Sequence, residues 1–551
     1  MDTAQARPQI DGVPAHDVVI MGGGLAGLTL ALQLRRSFAG IDVAVLERRR
    51  HPVPHATHKV GESSVEIGAH YFDTVLGLKP HMHQAQLRKF GFRFFFSEGR
   101  RDIDQVTEIG ASHYLSVPSY QIDRGIFENY LAEEAQRQGV RFVDDAMVRR
   151  IELAETPRDW HRIEWTQDGE AREMRTRWLV DACGRAGMLK RKLNLAQPND
   201  HHCHAVWFRI GDRLRIDDWS DDPAWRARCE PQARWLSTNH LVGAGYWVWL
   251  IPLASGSHSV GIVADPRLHP LERMDSFERA MDWLAQWQPR LHDELDKRRH
   301  LLQDFAFLRN FSYGCKTVFS GQRWALTGEA GLFLDPFYSP GSDFIAVGNT
   351  YICDLIGHDR AGHSLEARAQ LYDQIYHSFY ESTLALYTDQ YPLFGDPEVL
   401  PVKVIWDYTY YWGVLSQIFF QQRLTDLALL GSLREELQFA QRLNIAAQRF
   451  FREWSKLSHR CNRAEMLDQA ALPWFAELNR SLNDRLDDEG FRKRLRASVG
   501  QLRTLAGEII ERATRDHPGL AGGELLALLA DQRQPAGCVA ERAATMLFER
   551  A

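Results

Sequence analysis

A glycine-rich turn close to the start of the chain constrains the fold more than any other feature. The stretch HDVVIMGGGLAGLTLALQLRRSFAGIDVAVLERRR is apolar, then glycine-rich, then helical, then apolar again, and it stops at an acid. Residues 17–21 form a short apolar run with β-branched members, which predicts a strand buried in a parallel sheet. Residues 25–38 have helical spacing, and residues 41–46 predict a second strand. The stretch therefore predicts a strand–turn–helix–strand unit of an α/β fold.

The spacing of the glycines indicates what this unit holds. Gly22, Gly24 and Gly27 give the pattern G-x-G-x-x-G, in which the glycines allow a tight turn, the approach of a pyrophosphate and close packing of helix on strand. The start of the following helix offers unpaired N–H groups to phosphates. Glu47 ends the second strand twenty residues after Gly27, where a ribose hydroxyl needs an acceptor. Together these elements predict a dinucleotide site.

Bulk composition excludes several classes of function. The 551-residue chain has a net charge of −6 at pH 7, so nothing attracts it to nucleic acid or to an anionic membrane. The N-terminal segment has no apolar stretch of signal-peptide type, and no run approaches the ~18 apolar residues of a membrane helix. The seven cysteines are scattered and include no C-x-x-C pair. We therefore expect a reduced, cytoplasmic protein that is not bound to a membrane.

The tract HHCH at residues 201–204 has the composition of a metal site. Its side chains are spaced so tightly along the chain that they do not all converge on one ion. We expect no metal in this protein.

The pattern along the chain predicts three regions. A discontinuous nucleotide-binding domain comprises residues 16–75, 111–199 and 311–365. A sheet-rich substrate domain interrupts it at residues 76–110 and 200–310, where stretches such as FGFRFFF and YWVWLIPL alternate like strands. From residue 366 to 551 the chain carries long helical segments rich in Leu, Arg, Glu and Gln.

Two later segments carry further nucleotide-domain signals. The first, WLVDACGRAGML, is an apolar strand that ends in Asp181 and a glycine turn. The second, RWALTGEAGLFLDPFYSPGSDFIAVGNT, is a strand, a glycine turn, an Asp335–Pro336 pair and then a helix. In this order the signals resemble the two-domain FAD proteins of the aromatic-hydroxylase superfamily.

This resemblance implies FAD as the cofactor and assigns residues to it. Arg124, in YQIDRGIFENYL, matches the arginine at a helix start that approaches the FAD phosphates. Asp335 matches the acid that reaches the ribityl chain, and the helix after it points its N-terminus at the flavin ring. The cofactor-binding residues implied are Gly22, Gly24, Leu25, Ala26, Gly27, Glu47, Arg48, Arg124, Val148, Asp335, Gly341 and Ser342.

Three motifs resemble the flavin-dependent halogenases within this superfamily. WVWLIP at residues 247–252 matches W-x-W-x-I-P, and FLDPFYSPG at residues 333–341 matches F-x-x-P-x-x-S-x-G. KVGES at residues 59–63 resembles a V-G-E-S segment of the family. The resemblance covers roughly residues 16–365.

Membership of that family implies a reaction. Reduced FAD and oxygen convert a halide into hypohalous acid, which reaches a lysine beside an aromatic substrate. In the family this lysine stands in a K-x-x-x-x-F setting after the G-E-S segment, which Lys89, with Phe94 five residues on, matches. We expect Lys89 to stand on an apolar strand, where desolvation lowers the pKa of its ammonium and makes it a stronger acid. Trp247 and Trp249 share a strand face and would lie beside the path of the acid. An exposed lysine in a salt bridge and two ordinary core tryptophans are the alternatives.

Two departures from the family pattern bear on substrate and halide. Tryptophan-type halogenases have a glutamate before the serine of S-x-G, whereas this chain has Tyr338 before Ser339. This difference favours phenol or pyrrole substrates, free or bound to a carrier protein. The family holds the halide with backbone N–H groups just after that serine, where this chain has Pro340 and Gly341, and proline has no N–H. The catalytic residues implied are Lys89, Trp247, Trp249, Tyr338 and Ser339.

The leading hypothesis is an FAD-dependent halogenase-like monooxygenase that acts on an electron-rich aromatic ring with chloride or bromide. Only one dinucleotide fingerprint is present, so a separate flavin reductase would supply the reduced FAD. The alternative is a halide-independent flavin monooxygenase or oxidase on the same fold. A more distant alternative is a non-catalytic FAD-binding protein that docks a partner.

Overall fold

The computed structural model describes residues 9–10, 12–55, 60–156, 158–459 and 461–530. The chain divides into two compact units. The first comprises residues up to 85, 123–199 and 312–380, and the second comprises residues 86–122, 200–311 and 381 onward. Compared with the predicted ranges, residues 76–85 and 366–380 belong to the first unit, and residues 111–122 and 311 belong to the second. The later helices belong to the same unit as the sheet-rich domain. None of the described helices has both the length and the apolar character needed to cross a bilayer.

The described strands, in chain order, are β1 Gln9–Ile10, β2 Val13–Met21, β3 Val43–Leu46, β4 Leu87–Arg88, β5 Phe92–Phe95, β6 Glu108–Gly110, β7 Tyr120–Gln121, β8 Arg141–Val143, β9 Met147–Glu152, β10 His161–Gln167, β11 Glu170–Asp181, β12 Ala196–Gln197, β13 His204–Ile210, β14 Thr238–Gly243, β15 Tyr246–Pro252, β16 His258–Ala264, β17 Leu302–Leu308, β18 Gly314–Cys315, β19 Trp324–Leu326 and β20 Met466–Asp468.

The described α-helices are α1 Leu25–Ser37, α2 Glu66–His70, α3 Lys79–Ala85, α4 Arg124–Arg137, α5 Met188–Lys192, α6 Pro223–Arg226, α7 Phe277–Trp287, α8 Pro289–Asp296, α9 Gly341–Arg360, α10 Glu366–Leu384, α11 Val399–Tyr410, α12 Gln417–Phe420, α13 Leu427–Gly431, α14 Arg434–Ser455, α15 Pro473–Arg480, α16 Asp488–Asp516 and α17 Gly523–Ala530.

A largely parallel sheet organises the first unit. Its strand order is β8-β3-β2-β11-β10-β9, with β19 added beside β11. The pairs β8/β3, β3/β2, β2/β11 and β11/β19 are parallel, and the β9–β10–β11 meander is antiparallel. The helix α1 connects β2 to β3, and its residues 25–34 are buried. The predicted strand–turn–helix–strand unit is confirmed, although β2 begins earlier and β3 begins later than predicted.

An eight-stranded sheet organises the second unit, in the order β17-β13-β16-β15-β14-β5-β6-β20. One of its faces packs against α7 and α8 in an apolar core that includes Phe208, Val248 and Trp283. The predicted sheet-rich stretches therefore also contain helices, because α7 and α8 lie within residues 200–310.

The helical segment after residue 381 is joined to this sheet through β20, which pairs parallel with β6. Side chains reinforce the connection. Asn462 accepts a hydrogen bond from the Thr107 N–H at 2.5 Å, and Asn479 accepts one from the Val117 N–H at 3.0 Å. The helices therefore complete the sheet of the second unit and cover part of it.

Candidate active site

The glycine turn after β2 is packed too closely against its neighbours for side chains at two of its positions. Gly22 has a φ of +111°, and a Cβ there would collide with the carbonyl of Ala182. A Cβ on Gly27 would meet the Gly22 carbonyl. Gly22 therefore allows the loop after β11 to approach, and Gly27 allows α1 to pack on β2. No side chain caps the start of α1 at Gly24. The first N–H groups of α1, at Leu25 and Ala26, are therefore available to a phosphate.

Glu47 is held against the same turn. One carboxylate oxygen accepts the Gly23 N–H at 2.6 Å and the other accepts the Arg49 N–H at 2.8 Å. The backbone carbonyl of Glu47 accepts the Ala146 N–H at 2.8 Å, which brings the start of β9, with Val148, to this end of the sheet. Each carboxylate oxygen keeps a lone pair for a ribose hydroxyl. Arg48, the next residue, is exposed.

Arg124 begins α4, as predicted, and its guanidinium is fixed from two directions. Its Nε and one terminal nitrogen donate to the same oxygen of Glu128, at 3.2 and 2.5 Å, and the other terminal nitrogen donates to the Val60 carbonyl at 2.8 Å. Glu128 is fully buried and lies 3.9 Å from the position of a Cβ on Gly24. The arginine is thus positioned beside the glycine turn. Sequence reasoning missed Glu128, although its i,i+4 spacing from Arg124 was a signal.

Asp181 has a structural role. One of its oxygens accepts the Cys183 N–H at 3.0 Å and the other accepts the Leu189 N–H at 2.7 Å, which fixes the glycine loop after β11. Burial raises the pKa of Asp181. The second nucleotide-domain signal therefore marks a loop anchored by its own acid.

Asn349, another residue that sequence reasoning missed, connects α9 to α1. Its side-chain nitrogen donates to the Ala26 carbonyl at 3.2 Å and its oxygen accepts from the Thr327 hydroxyl at 2.7 Å. The residue is fully buried. Its contacts fix the later helix relative to the glycine turn.

The loop before α9 is tightly turned. Asp335 is buried and accepts the Phe337 N–H at 2.9 Å. Ser339 has a φ of +52°, and its N–H donates to the Pro336 carbonyl at 2.9 Å. Tyr338 is half-buried, and its ring lies 4.8 Å from that of Phe337. Ser339 therefore offers its hydroxyl, but not its N–H, to a ligand.

The first turn of α9 retains two free backbone donors. Pro340 occupies the N-cap position, and its carbonyl accepts the N–H groups of Asp343 and Phe344 at 3.0 and 3.1 Å. Within the described part of the chain, the N–H groups of Gly341 and Ser342 have no acceptor. The donor that proline lacks is therefore followed by two that remain available, at the positive end of a twenty-residue helix.

The V-G-E-S segment leads into α2. Lys59, its first residue, lies outside the described residues, and Glu62 and Ser63 are buried. The α2 helix packs against α9, since the Gly68 N–H donates to Asp343 at 2.8 Å. The segment therefore contributes to the packing around the α9 N-terminus.

Lys89 lies in the second unit, in the connection between β4 and β5. The prediction that it stands on a strand is therefore wrong, because the chain turns at Gly91, whose φ is +79°. Lys89 is nonetheless buried, with 3% of its surface exposed, and its Nζ lies 3.3 Å from the centre of the Phe92 ring. The Lys89 N–H donates to the Ser119 carbonyl at 2.8 Å. The exposed-lysine alternative is thereby excluded.

Trp247 and Trp249 share one face of β15, as predicted, with their ring centres 5.7 Å apart. The indole N–H of Trp247 donates to the Tyr391 hydroxyl at 2.9 Å, and that of Trp249 donates to the Ser259 hydroxyl at 3.0 Å. Gly261 on β16 lies against the Trp249 ring, where a Cβ would collide with it. Tyr391 was not predicted, since it lies 144 residues after Trp247 in the chain.

His240 connects the lysine to the tryptophans. It is fully buried on β14, stacks on Phe94 at 4.7 Å, and lies 5.3 Å from Phe92 and 4.9 Å from Trp247. An aromatic row therefore runs from the ring beneath Lys89 to the tryptophan pair, on the sheet face opposite the α7–α8 core. Sequence reasoning missed His240, because a single histidine on a strand carries no local signal. We call this row the aromatic face; it comprises Phe92, Phe94, His240, Trp247 and Trp249.

This chain is similar to known FAD-binding proteins and to flavin-dependent halogenases. The sequence model of the protein family described as FAD binding domain matches residues 15–258. The flavin-dependent halogenase chlA of Dictyostelium discoideum is 24% identical over 431 residues, which cover 73% of this chain and 70% of the relative. The 1H-pyrrole-2-carbonyl-(peptidyl-carrier protein) chlorinase of Pseudomonas fluorescens is 25% identical over 346 residues, or 59% of this chain and 72% of that protein.

Solved structures share the fold. The structure of halogenase PltM in complex with phloroglucinol and FAD has a TM-score of 0.63 at 16% identity and covers 89% of this chain and 96% of its own. The structure of CmlS, a flavin-dependent halogenase, has a TM-score of 0.54 at 20% identity. The match covers 91% of this chain and 78% of the CmlS chain. These likenesses confirm the predicted fold class, an α/β FAD-binding fold of glutathione-reductase and aromatic-hydroxylase type interrupted by a sheet domain and followed by helices.

Proposed function

The chain belongs to the flavin-dependent halogenase family, and on that premise we propose that it halogenates an electron-rich aromatic ring, using reduced FAD, oxygen and chloride or bromide. The observation that carries the proposal is the buried Lys89 ammonium at one end of an aromatic face that also holds the W-x-W-x-I-P tryptophans. The same combination makes a non-catalytic FAD carrier a poor explanation of the site.

The residues of the first unit fit FAD. The open position at Gly24, the uncapped start of α1 and the Glu47 carboxylate suit a pyrophosphate and a ribose. The Arg124 guanidinium would pair with the FAD phosphates. Asp335 would bind the ribityl chain, and the N-terminus of α9 would point at the flavin ring. Bound, reduced FAD would give two electrons to oxygen, which in that partly reduced form takes two more from a halide to give hypohalous acid and water.

The N–H groups of Gly341 and Ser342 are the proposed halide donors. Two adjacent backbone N–H groups at a helix N-terminus form an anion-binding arrangement. Its position is one residue later than the family pattern, because Pro340 has no N–H. The Ser342 hydroxyl is buried without a partner among the described residues, in packing contact with Gly68.

Lys89 is the proposed catalytic group. Its ammonium would donate a hydrogen bond to the oxygen of hypohalous acid, which makes the halogen more electrophilic and turns that oxygen into water as it leaves. A buried position strengthens this interaction and keeps water away from the acid. Trp247 and Trp249 are locked by their indole hydrogen bonds and would form a rigid wall beside it.

The substrate is proposed to be a phenol or a pyrrole, either free or attached to a carrier protein. Tyr338 replaces the glutamate of tryptophan-type members, and the relatives include an enzyme named for a pyrrole on a peptidyl carrier. PltM was solved with phloroglucinol, a phenol. A separate flavin reductase would deliver reduced FAD.

The test is a reconstituted assay with FAD, a flavin reductase, oxygen, and a panel of phenols and pyrroles, with product mass as the readout. We expect a brominated product that depends on added bromide. An oxygenated product that forms equally without halide would support the alternative, a halide-independent monooxygenase. Bromide soaks of FAD-loaded crystals give a second readout, with anomalous density expected beside Gly341.

A further inference from the structure

His240 occupies the centre of the aromatic face. Its cross-strand neighbours are Phe94 on β5 and Trp249 on β15, so its side chain points to the same side of the sheet as theirs. The imidazole is fully buried and contacts the same Phe92 ring that Lys89 covers. A group able to carry a proton thus lies next to the proposed reaction site.

Several ionisable groups face this cluster from the surrounding elements. They are Lys89 in the β4–β5 connection, Tyr391, whose hydroxyl accepts from Trp247, and Tyr408 on α11, whose ring lies 6.2 Å from that of Phe92. On α11, Lys403 donates to Asp407 at 2.5 Å, so these two charges compensate each other. Arg93 lies between Phe92 and Phe94 on β5, and its side chain pairs with Glu108 instead.

We propose that His240 accepts the proton of the ring hydroxyl of a phenolic substrate. The proposal rests on the proposed function and narrows its substrate class to hydroxylated aromatic rings. Imidazole is a suitable base for a phenol, whose pKa is roughly 10, whereas a pyrrole N–H is far less acidic.

The proton balance is complete. As the C–halogen bond forms, the O–H bond of the phenol breaks, its proton passes to His240, and the ring becomes a halogenated dienone. The oxygen of hypohalous acid leaves as water with a proton from Lys89. The ring then gives its C–H proton to Lys89, and His240 returns its proton to the oxygen. The sum is phenol and hypohalous acid giving halophenol and water.

The first experiment does not require turnover. The FAD-loaded enzyme binds 4-nitrophenol, and the phenolate absorbance is followed against pH for the wild type, His240→Phe, which keeps an aromatic ring, and His240→Gln, which keeps a hydrogen-bonding group. We expect the bound phenol to ionise at a clearly lower pH in the wild type than in His240→Phe. Identical midpoints would overturn the proposal. Because Lys89 also favours a phenolate, the comparison is repeated with Lys89→Met in both proteins.

The second experiment compares substrates. His240→Phe should lose about 10²- to 10⁴-fold in kcat on a phenol, less on a more acidic phenol, and little on a pyrrole. An equal loss in kcat on the phenol, the more acidic phenol and the pyrrole would mean that His240 only contributes to the packing of the aromatic face. The proposed function fails if the wild type forms neither a halogenated nor an oxygenated product from any ring tested. The nitrophenol titration would still decide whether His240 takes the proton in that case.

Discussion

The Nζ atom of Lys89 lies 3.3 Å from the centre of the Phe92 ring, inside a protein core. The negative face of the ring compensates part of the cost of burying the ammonium, by about 2 kcal/mol in a desolvated site. This contact also fixes the direction of the side chain, since the ring itself packs against His240 and Tyr408. The lysine is therefore held ready at the end of the aromatic face.

Replacing Lys89 by Met should abolish most product formation while the protein still binds FAD. Methionine fills a similar volume and keeps the contact with Phe92, but it donates no hydrogen bond. We expect the rate to fall by about 10²-fold or more, as measured by product mass with saturating reduced FAD. Lys79→Met, at an exposed position on α3, is the matched control and should behave like the wild type. Equal activity of the Lys89 variant would contradict the assigned role.

Restoring a donor at Pro340 should improve halide use. Pro340 has φ −75° and ψ −6°, which alanine adopts without strain, and Pro340→Ala adds a third N–H to those of Gly341 and Ser342. A hydrogen bond to an anion contributes about 1.5 kcal/mol or more, so the KM for bromide should fall roughly tenfold. Pro270→Ala, at an exposed position in the second unit with φ −59° and ψ 139°, is the matched control and should leave the KM for bromide unchanged. The proposed site would be wrong if Pro340→Ala left the bromide dependence as it was.

Glu128→Gln should weaken FAD binding through Arg124. The glutamine has no charge with which to hold the guanidinium, so the arginine loses the contact that points it beside the glycine turn. We expect the Kd for FAD, measured by quenching of flavin fluorescence, to rise about tenfold, with Glu128→Asp intermediate. Glu133→Gln changes an exposed acid on the same helix and should leave the Kd unchanged. Tighter binding in Glu128→Gln would mean that the buried carboxylate opposes the cofactor instead.

Two glycine-to-alanine changes should act in opposite directions on stability. In Gly27→Ala the new methyl meets the Gly22 carbonyl, which should lower the free energy of unfolding by about 1–3 kcal/mol and reduce FAD binding. In Gly507→Ala, within α16, the methyl meets no atom within 4 Å, and the helix gains about 0.5–1 kcal/mol. Urea denaturation with and without FAD measures both effects. A neutral Gly27→Ala would show that the packing of α1 on β2 is looser than these contacts imply.

The parts of the site that the sequence predicts are those built from local chemistry. The turn from Gly22 to Gly27, the strand on either side and the acid at Glu47 follow from chain spacing within about thirty residues. The tryptophan pair follows from the period of a strand, because residues two apart share a face. Arg124 follows from the resemblance to the aromatic-hydroxylase superfamily, which has an arginine at this helix start.

The rest depends on contacts between segments that are distant in the chain. Tyr391 meets Trp247 across 144 residues, and Asn349 reaches Ala26 across 323 residues. No local pattern marks such partners, and His240 looks like any core histidine until its neighbours are known. The prediction that Lys89 lies on a strand is wrong because β5 begins only at Phe92. Apolar alternation predicts the strand well but not its first residue, which Gly91 determines by turning the chain.

A buried histidine away from the site should make the stability of the protein depend on pH. Burial lowers the pKa of His258 to about 3, and the neighbouring Arg213 acts in the same direction. Its Nδ1 accepts the Leu214 N–H at 3.2 Å, which requires the neutral ring. In the unfolded chain the residue takes a proton near pH 6.5, so its contribution is fully present above that pH. As the pH falls from 6.5 toward 3, this one group should lower the free energy of unfolding by about 1.4 kcal/mol per pH unit.

His258→Leu removes that dependence together with the acceptor of Leu214. At pH 7 the variant should be less stable by about 1–3 kcal/mol, because a buried N–H is left without a partner. The difference from the wild type should shrink as the pH falls from 6.5 to 4, since only the wild type loses stability by protonating this histidine on unfolding. Urea denaturation at a series of pH values measures the two curves, and His113→Leu, at an exposed position, should run parallel to the wild type. A constant difference between wild type and His258→Leu would show that folding does not lower the pKa of His258.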